Sequence, residues 1–249
     1  MRPRRSPWAI LLLTPLVFLA CSSDDDGGTR VGTDNLLGSG SVIEEARTVS
    51  GVTGVVLSTL GILHIEQGSS EALRIETDDN IMPHLITEVV GGVLQIHAES
   101  GVNLLPTRLD FYLAVTDLDS IVFDGLGSVA LSGFDTTSLS LTHDGVGDVD
   151  VLDLIADDLE VTASGIGRTS VSGQVDSQTV TVSAVSSYEA EGLASRTAEV
   201  MIMGEGSATL CVSDELSVTM TGAGSVSYYG APTLQGDVSA SDQLGLACP

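Results

Sequence analysis

The chain has 249 residues, enough for one large domain or two small ones, and sets 9 basic against 34 acidic residues for a formal charge of −25. That balance excludes a nucleic-acid backbone as partner, because phosphate binding needs clustered Lys and Arg. It also disfavours anionic lipid surfaces, and its ordinary consequence is solubility.

At the N-terminus, Arg2, Arg4 and Arg5 precede an apolar run from Trp8 to Ala20, followed by Cys21. A basic start and a short apolar run make residues 1–20 a secretory signal. The run would span roughly 20 Å as a helix, short of a bilayer core of about 30 Å, so no membrane-crossing anchor is expected. The ending FLAC resembles a bacterial lipoprotein signal, with Phe18 where Leu, Val or Ile is usual. That resemblance implies that Cys21 becomes the first mature residue and carries lipid, each buried CH₂ contributing about 0.8 kcal/mol to anchoring. Ser22 then implies an outer-membrane or cell-surface lipoprotein, the periplasmic face staying open as an alternative. Loss of three arginines leaves six, with no lysine, against 34 acids, and the formal charge moves from −25 to −28.

Residues 21–45 are polar and rich in Gly, Ser and Asp, and read as a flexible tether. From Ala46 the texture changes to short alternating runs such as GVVLSTL, ILHIEQG, ALRIET, VLQIHAES and LDFYLAVT, separated by turn clusters. Many short strands at this spacing predict an all-β domain over residues 46–232. The stretch NIMPHLITEVV, 80–90, has room for one helical turn.

From residue 124 onward the sequence repeats itself. Units begin at Asp124, Asp144, Ser164, Ser183, Met203 and Thr221, at spacings of 20, 20, 19, 20 and 18 residues. Each opens on a pair of small residues: Gly125/Gly127, Gly145/Gly147, Gly165/Gly167, Ala184/Ser186, Gly204/Gly206 and Gly222/Gly224. Beyond each pair the equivalent positions are Val129, Val149, Thr169, Tyr188, Ala208 and Val226, then Leu131, Val151, Val171, Ala190, Leu210 and Tyr228. Before the last five pairs stand Leu141, Val161, Val180, Val200 and Val218, then His143, Ala163, Val182, Ile202 and Met220. A period of two puts these on one face of each strand, with Ser, Thr, Asp and Glu on the other. One such unit cannot bury its apolar face alone, whereas stacked units form a continuous core. The prediction is a β-solenoid with coils of about 18–20 residues and glycine corners. Leu126, Val146, Ile166 and Val185, between the small residues, are expected to pack at those corners.

Together the SGxG and DGxGDV turns, the upstream LDFYLAVTDLDSIVFDGLGSV and the closing TGAGSVSYYGAP resemble the family of putative auto-transporter adhesin, head GIN domains. The resemblance covers about Arg47 to Pro232 and implies a single-stranded right-handed β-helix, on secreted or lipoprotein chains, with no catalytic residues. Residues 233–249 would form a C-terminal tail, and this tail and the N-terminal segment would cap the exposed coil edges.

Several chemistries compete with this reading. A GxG turn cradles a dinucleotide when it joins a strand to a helix, but here strands follow the turns. Asp144, Asp148, Asp150 and Asp153 offer oxygen ligands for calcium, yet Asp148 gives way to Ser or Arg in the other repeats. His64 with Glu66 and His97 with Glu99 would gather zinc ligands if their strands were neighbours; the default is exposed polar residues. His143, in an apolar column, is expected to be a hydrogen-bonded strand-end residue. Cys211 and Cys248 are candidates for a disulfide in an exported chain, stapling the tail to the body. The repeats carry only Arg168 and Arg196 as cations and the mature chain has no tryptophan, which argues against a β-helix lyase or hydrolase. The sequence therefore points to a non-enzymatic envelope module with no cofactor or metal, bound to the membrane through lipid on Cys21. Its ligand would be a surface protein or polysaccharide. The alternatives are a scaffold for another exported protein and, last, a β-helix carbohydrate-active enzyme.

Overall fold

The computed structural model describes residues 34–237, 241–245 and 247–248. The signal sequence, Cys21 and the first part of the tether lie outside them. The strands in chain order are β1 (Asp34–Leu37), β2 (Val42–Arg47), β3 (Gly54–Leu57), β4 (Leu60–Gln67), β5 (Ala72–Asp78), β6 (Leu85–Val90), β7 (Val93–Ala98), β8 (Val102–Leu105), β9 (Leu109–Val115) and β10 (Ser120–Phe123). They continue as β11 (Leu126–Ser132), β12 (Ser138–His143), β13 (Val146–Ala163), β14 (Arg168–Ala184), β15 (Ser187–Gly204), β16 (Ser207–Met220), β17 (Ser225–Tyr229), β18 (Thr233–Gly236) and β19 (Ser241–Gly245). One 3₁₀ turn, Met82–His84, occupies the stretch where sequence allowed a helical turn.

The repeats stack as parallel coils in a β-solenoid. Gly127 pairs with Gly147, Val129 with Val149 and Leu131 with Val151. On the adjoining face Leu141 pairs with Val161, Val161 with Val180, Val180 with Val200 and Val200 with Val218. A third face stacks Leu154 on Gly173 and Gly173 on Leu193. All of the aligned apolar columns are buried except Met220, which is half-buried.

Two features of the ordering are invisible in the repeat. The solenoid begins before Asp124: β3 pairs in parallel with β10, and β4 with β11, so Gly61 stacks on Gly127. The next coil outward is built from later residues, with β7 against β3 and β9 against β4, both parallel. The chain thus returns past its own first coil before ascending. Antiparallel β6 and β5 then flank β7 and β9, and β2 flanks β5.

The expected tether boundary shifts as well. Residues 34–37 pair with β8 and 42–47 pair with β5, so part of the segment read as tether is strand. Buried Asp78 holds this entry segment, accepting from Gly40 N at 2.7 Å and from Thr107 N and Oγ1, each at 2.7 Å. Burial pushes its carboxyl pKa up, but the donors from Thr107 and Gly40 outweigh that and hold it below the usual value. At the other end, β18 and β19 pair in parallel with β16 and β17, so the tail adds a further coil. A disulfide joins Cys248 to buried Cys211, with Cα atoms 5.4 Å apart.

Glycine is required at the corners by the closeness of the coils. Gly147 has φ 140°, and a Cβ there would overlap the carbonyl oxygen of Gly127. Gly125, Gly145, Gly165, Gly167, Gly222 and Gly224 lie in the same way against a carbonyl of the preceding coil. Gly206 lies against Val182 and the Ser186 carbonyl, and Gly204 pairs with Ala184. The residue between the small pair behaves differently from expectation. Leu126, Val146, Ile166 and Val185 are 60%, 46%, 64% and 68% exposed and form a ridge along the corner. The backbone on either side is already pressed against the next coil, so the only direction left for these side chains is outward.

Polar residues inside the solenoid are nearly all satisfied. Tyr188 donates to Gln178 Oε1 at 2.9 Å, Gln178 Nε2 to Ser195 Oγ at 2.8 Å, and Ser195 Oγ to the Cys211 carbonyl at 2.7 Å. Burial pushes the Tyr188 phenol far above its ordinary range, so it serves only as a neutral hydrogen-bonding group. His143 is fully buried, stacks on Phe123 at 5.3 Å and bonds Thr169 Oγ1 through Nδ1 at 3.0 Å. Its Nε2 has no partner. Burial pushes its pKa down, opposed by the charges of Asp148 and Asp144.

Two outcomes follow for stability. Gly147→Ala should cost at least about 3 kcal/mol from strain plus overlap, whereas Gly133→Ala, at φ 63° with open space around it, should cost about 1 kcal/mol. Urea midpoints check this, and equal losses would contradict close coil contact. For His143 the unfolded chain takes up a proton below pH about 6.5 that the folded chain resists. Stability from this group is therefore present at neutral pH and declines as pH falls through that value. His143→Leu should flatten the drop in urea midpoint between pH 7.5 and 5, and an unchanged slope would refute it.

Candidate functional site

Along the outward faces of the coils, in-register stacking places equivalent side chains one strand apart, about 4.8 Å. For an acidic chain this is costly wherever two carboxylates meet. Most columns avoid it by alternation: Ser140, Glu160, Thr179, Glu199 and Ser217 form one, and Ser138, Asp158, Ser177, Thr197 and Glu215 another.

The N-terminal coils break this pattern. Register places Glu44, Glu76 and Asp110 side by side on β2, β5 and β9. Two arginines neutralise the row. Arg74 pairs with Glu76 and, at 3.2 Å, with Glu44, while Arg108 pairs with Asp110 and, at 2.7 Å, with Glu76. Their pKa values are raised, first by the hydrogen bond from Arg74 to Glu76 and from Arg108 to Asp110. Arg108 also donates to the Tyr112 hydroxyl at 3.2 Å.

Arg74, Tyr112 and His64 occupy the next row, on β5, β9 and β4. The Arg74 guanidinium lies 3.8 Å from the Tyr112 ring centre, and the His64 ring is stacked on the other side at 4.8 Å and 12°. His64 Nε2 is 3.9 Å from Asp110 Oδ1. Beside this ladder the side chains shrink to Ala46, Ala72, Ala114 and Ala130, leaving an open groove of about 660 Å³ that also reaches Glu66 and Ser132. The inner faces of the same strands bury Leu63, Ile65, Leu73, Ile75, Phe111, Leu113, Val129 and Leu131. A rigid core therefore holds the outward ladder in place.

The candidate metal residues are not assembled. His64 is on β4, whereas His97 is on β7, which pairs with β3 and β6 on another face. Glu99 bonds His84 at 2.6 Å. Among the calcium candidates, Asp144 accepts from Ser164 Oγ, Asp148 from the Arg168 amide at 3.1 Å, and Asp150 pairs with Arg168 at 3.4 Å. Asp153, at φ 56°, sits within β13 at the register shift between Val151 and Leu154. Among the described residues no three His, Cys, Asp or Glu side chains are placed to hold a metal.

Nothing local in the sequence marks the groove. Alternation in LDFYLAV and ALRIET does mark Tyr112 and Arg74 as outward residues, but the register joining β5, β9 and β4 spans dozens of residues and has no local signature.

No curated protein matches this chain. Among solved structures, it resembles a putative adhesin from Bacteroides fragilis NCTC 9343 at TM-score 0.78 and 22% identity, over 85% of this chain and 97% of that one. A putative lipid binding protein from Parabacteroides distasonis ATCC 8503 aligns at TM-score 0.66 and 19% identity, over 86% and 98%. A putative adhesin from Parabacteroides merdae ATCC 43184 aligns at TM-score 0.56 and 18% identity, over 86% and 97%. At these identities the likeness establishes the fold. Residues 52–232 match the family described as putative auto-transporter adhesin, head GIN domain, and the chain belongs to that family.

Proposed function

We propose that this protein is a non-enzymatic, adhesin-like binding module of the cell envelope, held at the membrane by lipid on Cys21. The observation that carries the reading is the groove beside the Arg74–Tyr112–His64 ladder, whose stacked rings and paired charges are fixed before any ligand arrives. Such prior ordering reduces the entropy lost on binding. Glu76 and Asp110 beside the groove are committed to Arg74 and Arg108, an arrangement suited to contact rather than to proton transfer. The polar segment after Cys21 would space the solenoid from the membrane.

A second reading, a scaffold for another exported protein, draws on the ridge of Leu126, Val146, Ile166 and Val185. Exposed Asp124, Asp144 and Asp148 flank it, so its partner would present an apolar stripe with a basic rim.

Cells displaying the full chain should adhere to polysaccharide-, protein- or cell-coated surfaces, and His64→Ala with Tyr112→Ala should reduce adherence at least tenfold at equal surface display. Undiminished adherence would reject the groove as contact surface. Ile166→Asp, by contrast, should leave adherence intact under the first reading and abolish it under the second. Palmitate labelling should disappear in Cys21→Ser, and retained labelling would place the anchor elsewhere.

A further inference from the structure

The ladder on the outer face stops one step short of what its spacing allows. Arg74, Tyr112 and His64 occupy successive strands, each covering the face of the next. The residue in register beyond His64 is Ala130, and beyond Ala130 is Asp150. Alanine fills only the base of its position. The far face of the His64 ring, a side chain 41% exposed, therefore opens onto a gap. Two strand spacings separate His64 from Asp150, about 9.6 Å, which leaves room for one ring at the centre. That ring would lie about 4.8 Å from His64, the same separation as between His64 and Tyr112.

We infer that the vacant rung over Ala130 binds the ring of a neutral pyranoside. This rests on the groove being the contact surface, and it names the ligand class. The two walls differ in chemistry, and that difference selects the occupant. On one side is the flat imidazole of His64, which accepts the C–H face of a sugar. On the other is the Asp150–Arg168 pair at 3.4 Å, with exposed Ser132 at the margin. Asp150 accepts sugar hydroxyls and Arg168 donates to them. An aromatic side chain would stack on His64 equally well, but it would cover the ion pair without offering a hydrogen bond, at a desolvation cost. A pyranoside satisfies both walls. Acidic sugars are disfavoured because Glu66, Asp148 and Asp150 stand on the strands either side of the gap, on a chain of formal charge −25.

The test uses the full chain in detergent, with histidine labelled for carbon-detected NMR. The probes are methyl glucoside, methyl galactoside and methyl mannoside, with methyl glucuronide as the anionic probe and N-acetyltyrosinamide as the aromatic one. At least one neutral glycoside should move the His64 ring signals saturably, and the glucuronide should bind at least tenfold more weakly. Ala130→Tyr supplies the missing rung from the protein itself on an outward-facing position. It should weaken glycoside binding at least tenfold while leaving circular dichroism and the thermal midpoint intact. His64→Ala should weaken it to a similar extent. The inference is overturned if no neutral glycoside shifts His64, if Ala130→Tyr binds as well as the parent, or if only the aromatic probe binds. Loss of cell adherence in Ala130→Tyr without glycoside binding would remove the sugar assignment and leave the contact surface standing. Adherence unaffected by His64→Ala with Tyr112→Ala would remove the contact surface itself.

Discussion

Close approach of one coil to the next at the glycine corners is the constraint on which the rest of the solenoid depends. The backbone of Gly147 passes directly over the carbonyl of Gly127, and Gly167 repeats the arrangement over Gly147. Only a residue without Cβ fits there, so the corner fixes where each coil starts relative to the last. From that point the parallel register runs through the flanking strands, bringing Val129 onto Val149 and Leu141 onto Val161. A slip of one residue would turn the whole apolar column outward, so corner and core enforce the same register.

In-register stacking has a second consequence, felt on the outside. Like side chains meet like at strand spacing, which suits valine and penalises aspartate. The chain alternates acids with Ser and Thr along its outer columns and spends its few arginines where carboxylates accumulate. Every arginine among the described residues is paired with a carboxylate: Arg47 with Glu45, Arg74 with Glu44 and Glu76, Arg108 with Glu76 and Asp110, Arg168 with Asp150, and Arg196 with Asp214. Exposed pairs of this kind contribute little to stability individually. Their effect here is local, since they relieve repulsion that the stacking itself creates. The Arg74–Tyr112–His64 ladder exploits the same geometry with rings and a guanidinium.

The ends of the solenoid are managed by different means. At the N-terminal end the chain reverses direction, and antiparallel β2, β5 and β6 cover the edges that parallel coils would leave open. The outermost strand, VIEEAR, carries Glu44 and Glu45, charges that discourage edge-to-edge pairing. At the other end the tail continues the coil in β18 and β19, and the bond from Cys248 to Cys211 ties it to the body.

The sequence by itself determined the coil. A period of about twenty residues, the paired small residues and the alternating columns together specify which side chains face inward, because all of that information is local and repeats. Polar members of the columns, such as Thr169 and Tyr188, also kept their place inside, with hydrogen bonds supplied by neighbouring coils. Tertiary structure decided what lies between distant segments. It put strands 93–98 and 109–115 beside the first coil, made strands of 34–37 and 42–47, separated His64 from His97, and joined His64 to Tyr112. None of these has a short-range signature. Each depends on which strand lies beside which, and strand pairing is set by burial summed over the whole core rather than by any residue and its neighbours in sequence.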